Sequence, residues 1–108
     1  MSSHYLIGIA LLLLPMASHA QEYRNEISLD QYLYTLGQIA PSAREGAEVY
    51  LHAFQHNCAR PLTVIELRKA IAEDDGDPVL MSMIRAAHLK DSQALATLSR
   101  QVACHTGS

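Results

Sequence analysis

The segment "PSAREGAEVYLHAFQHNCARP", residues 41–61, decides the fold that this sequence predicts. Ser42 followed by Glu45 has the spacing of a capping box, in which two side chains close the first turn of a helix. Apolar side chains then recur at helical spacing, at Ala47, Tyr50, Leu51, Phe54 and Cys58. The segment therefore predicts an amphipathic helix whose core-facing stripe ends in a cysteine.

The same pattern recurs on both sides of this helix. Capping residues at Ser28, Thr63 and Asp77 mark three more helix starts. The positions expected to face the core are Leu29, Tyr32, Leu33, Leu36, Ile39, Val64, Leu67, Ile71, Leu80, Met83, Ile84, Ala87, Leu95, Leu98 and Val102. The last segment either restarts at Asp91 or Ser92 or continues the fourth helix. Since no segment shows strand alternation, the prediction is an all-α fold, a small bundle of four to five helices stapled by one disulfide.

The two cysteines, Cys58 and Cys104, predict that disulfide. An even cysteine count in an exported chain indicates pairing, whereas a catalytic or metal-binding pair of thiols is the alternative. Helical geometry places Cys58 on the core-facing stripe, where Cys104 can reach it.

The first twenty residues have the pattern of a cleavable signal peptide. An apolar run at 6–14 is followed by Pro15 and by the small residues Ser18 and Ala20 around the expected cleavage point. The run is about half the length of a membrane-spanning helix. We therefore expect residues 21–108 to form a single helical domain, periplasmic or secreted, with no stable membrane anchor after cleavage.

His52 and His56, four residues apart, are the candidate metal ligands. They lie roughly 140–180° around the helix from the stripe that contains Cys58, so we expect them to face water and to hold no cofactor. The alternative is a metal-binding protein, although two ligands are fewer than a zinc site requires. Side chains that could complete such a site are His88, His105, Met81 and Met83.

The segment "AEDDGDP", residues 72–78, places negative charge where a helix disfavours it. Glu73, Asp74 and Asp75 lie at the end of the predicted third helix, and carboxylates near a helix C-terminus oppose its dipole. One interpretation is a soluble turn before the next helix. The functional interpretation is an acidic contact for a basic surface of a protein partner.

Composition and motifs exclude several function classes. The chain has 8 Lys and Arg against 11 Asp and Glu, so the sequence offers no basic face for nucleic acid. No hydrolase or phosphate-binding motif is present, which argues against an enzyme, and a small hydrolase without a recognisable motif is the third hypothesis. The chain resembles acid-stress chaperones, secretion-system pilotins and immunity proteins in size and architecture only. We therefore expect a non-enzymatic exported protein of the accessory, chaperone or immunity type that binds another, unidentified protein.

Overall fold

The computed structural model describes residues 27–104, and this part of the chain is all-helical. Its elements are α1 (Leu29–Ile39), α2 (Pro41–Cys58), α3 (Val64–Ala72), a 3₁₀ turn (Glu73–Asp75), α4 (Pro78–His88) and α5 (Ser92–Ser99). The predicted fold class, a small helical bundle with one disulfide, is confirmed. The predicted signal peptide and His105 lie outside the described residues.

Side-chain caps start most of these helices where the sequence predicts them. The Ser28 hydroxyl accepts a hydrogen bond from the Gln31 backbone N–H at 3.1 Å. Thr63 and Glu66 form a reciprocal capping box at the start of α3. Asp77 accepts from two backbone N–H groups of the first turn of α4. Each cap satisfies donors that have no partner within the helix, which fixes the points where the chain changes direction.

The predicted cap at Ser42 is wrong. Helix α2 begins two residues earlier than this cap implies, at Pro41, and its N-cap is Ala40, which makes no side-chain capping bond. Proline is suited to the first helical position because its φ is already helical and its missing N–H would have no partner there. Ser42 therefore lies inside the first turn, where its Oγ is 3.4 Å from His88 Nδ1.

The last two helices are separate, which settles the alternative that the sequence leaves open. Helix α4 ends at His88, and Asp91 caps α5 by accepting from the Ala94 N–H at 3.0 Å. Between them Lys90 adopts a left-handed conformation with φ 55°. The chain therefore reverses over three residues, and α5 packs back against α4.

The core lies between α2 and α4, and α1, α3 and α5 pack around it. Its buried apolar residues are Leu33, Ala47, Tyr50, Ala53, Phe54, Leu62, Leu67, Leu80, Met83, Ala86, Ala87 and Val102. Most of the positions predicted to face inward are in this set or pack against it. The exceptions are Val64, which is partly buried but outside this cluster, and Ile39, with 78% of its surface exposed. Ile39 lies roughly 70° from the centre of the α1 stripe, at the last position of the helix, where no further turn covers it.

The predicted disulfide between Cys58 and Cys104 is present, with the two Cα atoms 5.4 Å apart. It joins the end of α2 to the segment that follows α5. A disulfide indicates an oxidising, non-cytoplasmic environment. Among the helices of residues 27–104, none combines the length and the apolar character that crossing a membrane requires.

Candidate functional site

The two candidate histidines line a shallow groove between α2 and the C-terminal end of α5. This histidine groove has a volume of about 350 Å³ and is lined by Val49, His52, Ala53, His56, Asn57, Ser99 and Arg100. Both imidazoles are exposed, as the helical geometry predicts. The structure adds a second wall, which the helical pattern of α2 does not reveal, and Arg100 lies on that wall.

Asn57 and the disulfide hold this second wall in place. The Asn57 side-chain amide donates to the carbonyl oxygens of Ser99, at 3.0 Å, and Val102, at 3.1 Å. One residue further along, Cys58 is bonded to Cys104. Arg100 therefore lies in a segment fixed to α2 on both sides. The groove is a formed feature of the fold rather than a chance approach of two surface side chains.

The structure does not bring a third metal ligand to the histidine pair. Within residues 27–104, no three His, Cys, Asp or Glu side chains are grouped closely enough to hold a metal ion. The suggestion that Met83 could serve as a ligand is wrong, because its side chain is completely buried in the core. His88 lies near Ser42 at the other end of α2. The neighbour that the fold supplies is Arg100, whose positive charge repels a metal ion.

The acidic segment Glu73–Asp75, here called the acidic knuckle, forms an exposed reversal immediately after α3. Asp74 and Asp75 both adopt the left-handed conformation, with φ 52° and 64°. The turn is closed by hydrogen bonds from the Gly76 N–H to the Glu73 carbonyl and from the Asp77 N–H to the Ala70 carbonyl. The position at a helix end agrees with the sequence, but the left-handed pair was not predicted. Its role as a contact for a basic partner stays a prediction.

Replacing Asp74 and Asp75 together by Asn should keep or raise stability. The change removes two negative charges beside a helix C-terminus, and asparagine tolerates left-handed backbone well, so we expect a gain of a few tenths to about 1 kcal/mol in the free energy of unfolding. Urea denaturation measures this. A loss of more than roughly 1 kcal/mol would show an internal role for the carboxylates. If the knuckle contacts a basic partner, the same variant should also weaken that complex and reduce its salt dependence.

A second groove lies between α4 and α5, and sequence reasoning missed it. This interhelix groove has a volume of about 510 Å³ and is lined by Ser82, Arg85, Ala86, Leu89, Asp91, Gln93, Ala94, Thr97 and Leu98. Leu89, at its edge, is 67% exposed. The one sequence signal for it is that Leu89, in the turn between the two helices, belongs to neither helical stripe. The groove itself depends on the angle at which α5 returns.

The strongest pKa shifts belong to contacts that hold the fold together. The Tyr50 hydroxyl donates to Asp77 Oδ2 at 3.3 Å, and burial followed by the charge of Asp77 raises the pKa of Tyr50 to about 12. Arg60 donates two hydrogen bonds to Glu66, at 2.9 and 2.8 Å, and these lower the pKa of Glu66 to about 2. Tyr50 thus stays protonated and Glu66 stays ionised at physiological pH. Neither is poised for proton transfer, which calls for a pKa near the working pH.

The described surface thus offers a groove that His52, His56 and Arg100 border, a negatively charged knuckle and a groove with an apolar floor. The one hydroxyl–imidazole contact among the described hydrogen bonds, between Ser42 Oγ and His88 Nδ1 at 3.4 Å, lies outside these three features. Comparison of the whole chain with protein-family models, with characterised proteins and with solved structures gives no match.

Proposed function

We propose that this protein is an exported, non-enzymatic protein that acts by binding another protein, in the manner of accessory, chaperone or immunity proteins. The observation that carries the proposal is the interhelix groove, which has an apolar floor and a polar rim. This is the composition of surfaces that take an amphipathic segment of a partner. The compartment is supported by the signal-peptide pattern of residues 1–20 and by the disulfide.

The floor of the interhelix groove suits close packing of a ligand. Ala86 and Ala94 are small, so a side chain of a ligand can come close to α4 and α5, and Leu98 supplies apolar surface. Leu89 stands at the rim, where it can insert into a partner. Large apolar side chains beside a groove are the usual anchors of protein interfaces.

The two walls of the groove are held in fixed positions. The Asp91 carboxylate caps α5, while the Asp91 N–H donates to the Ala86 carbonyl at 2.9 Å. One residue thus connects both helices through its side chain and its backbone. A surface formed before binding loses little conformational entropy when a partner docks, which favours affinity.

A photo-crosslinking residue at Leu89 tests this proposal in the exported protein. We expect it to capture one partner of defined mass from the cell envelope or culture medium of the source cells. The matched control is the same residue at Ile65, which is 62% exposed on α3, away from the groove. The L89D substitution should weaken the captured complex at least roughly tenfold, because it places a charge at the apolar contact, whereas I65D should not. Equal capture at both positions, or no capture at Leu89, would contradict the proposal.

The alternative function, metal binding by His52 and His56, gives a different result. Elemental analysis of protein purified without chelators would show a stoichiometric metal that the H52A/H56A variant lacks. The fixed charge of Arg100 in the same groove argues against this alternative.

A further inference from the structure

We infer that the disulfide between Cys58 and Cys104 is a redox switch: the interhelix groove is complete while the bond is oxidised and loses one wall when the bond is reduced. The moving element is the segment 91–104, here called the strap, which contains α5 and the residues that follow it. The consequence for binding rests on the proposed function, because the strap forms one wall of that groove. Release of the strap is measured without a partner, so the two proposals can fail separately.

The strap packs weakly on the rest of the domain. Helix α5 has 8 residues, and helices shorter than about 12–15 residues are only marginally stable in water by themselves. Its inward-facing side chains, Leu95 and Leu98, pack against the core but are only half-buried. Val102, which follows α5, is the fully covered side chain of the strap. The strap therefore adds little buried apolar surface to the core between α2 and α4.

Hydrogen bonds at both ends of the strap are its other anchors. At the start, the Asp91 N–H donates to the Ala86 carbonyl at 2.9 Å. Near the end, the Asn57 side-chain amide donates to the carbonyls of Ser99 and Val102. Such bonds add little net stability, because water replaces them when the strap moves away. We therefore expect the covalent bond at the end of the strap to decide whether it stays in place.

The disulfide is open to a reductant in the folded protein. Cys104 is exposed, whereas Cys58 is half-buried at the end of α2. Exposed disulfides are reduced more easily than buried ones and are more often labile or regulatory. A reductant can therefore reach Cys104 Sγ while the core stays folded.

The reductant that we propose is a dithiol, such as a pair of neighbouring cysteines in another exported protein. One of its thiolates attacks Cys104 Sγ and forms a mixed disulfide, and Cys58 leaves as a thiolate that takes up a proton. The second thiolate of the reductant then attacks its own partner sulfur and releases Cys104, which is also protonated. The protein gains two electrons and two protons, and the dithiol becomes a disulfide.

Reduction would remove a wall from both grooves of the described surface. The strap supplies Asp91, Gln93, Ala94, Thr97 and Leu98 to the interhelix groove and Ser99 and Arg100 to the histidine groove. The largest fully buried side chains, Phe54, Leu67, Leu80 and Met83, all lie outside the strap, so the core can persist without it. The oxidised protein would therefore bind a partner, and the reduced protein would release it.

NMR spectra of the full exported protein before and after reduction by dithiothreitol provide the test. In the reduced protein, the Cα chemical shifts of Ser92–Ser99 should move to random-coil values, while those of Pro41–Cys58 and Pro78–His88 stay helical. Reoxidation with glutathione disulfide should restore the helical values. The variant C58S/C104S should match the reduced protein and should not respond to dithiothreitol.

Two further measurements address access to the disulfide and its effect on binding. The rate of reduction by dithiothreitol should stay nearly constant up to the urea concentration at which unfolding begins, because the exposed Cys104 needs no unfolding to react. Photo-crosslinking at Leu89 should capture at least roughly tenfold less partner in the C58S/C104S protein than in the oxidised one, since Leu89 alone keeps only one side of the groove.

Four results would overturn the inference. Helical shifts of α5 in the reduced protein would show that packing alone holds the strap, and loss of helical shifts in every helix would show that the bond supports the whole domain. A reduction rate that rises with urea below the unfolding transition would show that the bond is reached only through opening of the fold. Equal capture in the C58S/C104S protein would show that binding ignores the bond. If Leu89 captures no partner even in the oxidised protein, the proposed function fails, and the NMR shifts still decide whether the strap is released.

Discussion

Replacing Cys58 and Cys104 together by alanine should lower the free energy of unfolding by about 4 kcal/mol. The disulfide joins residues separated by 46 positions, and closing a loop of this length removes about that much conformational freedom from the unfolded chain. The loss is large for so small a domain, because stability per residue is low and little surface is buried in a short chain. Urea denaturation of the oxidised protein and of the variant measures the difference.

The effect should be strongest at the segment that the disulfide holds. Val102 is 5% exposed, and its carbonyl accepts a hydrogen bond from the Asn57 side chain. Without the disulfide, amide hydrogen exchange should become faster in the segment from Ser99 onward, and only at lower stability also in α2. The second wall of the histidine groove would then be lost. As a control, reduction of the disulfide in the unsubstituted protein should lower the free energy of unfolding by the same amount. A difference below roughly 1 kcal/mol would show that packing alone fixes the segment.

The helices could be predicted because their signals are local. Thr63 and Glu66 lie three residues apart, and the stripe of α2 lies within one helix, so sequence distance and spatial distance agree. The prediction failed where two local signals competed. At the start of α2 the proline at the first helical position prevailed over a serine cap, and Ser42 moved inside the helix.

The candidate site could be predicted only in part, because its components are distant in sequence. The helical pattern places His52 and His56 in solvent correctly. Arg100 lies beside them because the Asn57 hydrogen bond to Ser99 and the Cys58–Cys104 disulfide hold its segment against α2. No spacing in the sequence predicts this contact between distant segments. The interhelix groove likewise depends on the left-handed residue Lys90. Lysine has no special preference for the left-handed conformation, so the residue type at position 90 does not predict the groove.

A close contact between α2 and α4 at Gly46 gives the second large effect. Gly46→Ala should lower the free energy of unfolding by about 2 kcal/mol and the Tm by roughly 10 °C. On helix propensity alone the change should stabilise by nearly 1 kcal/mol. However, the added Cβ would lie 2.7 Å from the Cα and 2.8 Å from the backbone N of Ile84. Backbone atoms cannot rotate aside, so α2 and α4 would have to separate, and they enclose Phe54 and Met83 at the centre of the core.

Gly37→Ala is the matched control, since it makes the same chemical change inside another helix. There the added Cβ would meet the Arg44 Cδ at 2.8 Å. The Arg44 side chain is exposed and flexible, and its ion pair with Glu48 contributes little to stability, so it can move away. The higher helix propensity of alanine then decides whether the free energy of unfolding rises or falls. We expect G37A to be neutral or up to about 1 kcal/mol more stable. Thermal and urea unfolding should therefore show a loss of stability for G46A and none for G37A. A stabilised G46A protein would mean that α2 and α4 can separate without cost, and the close contact would then not define the core.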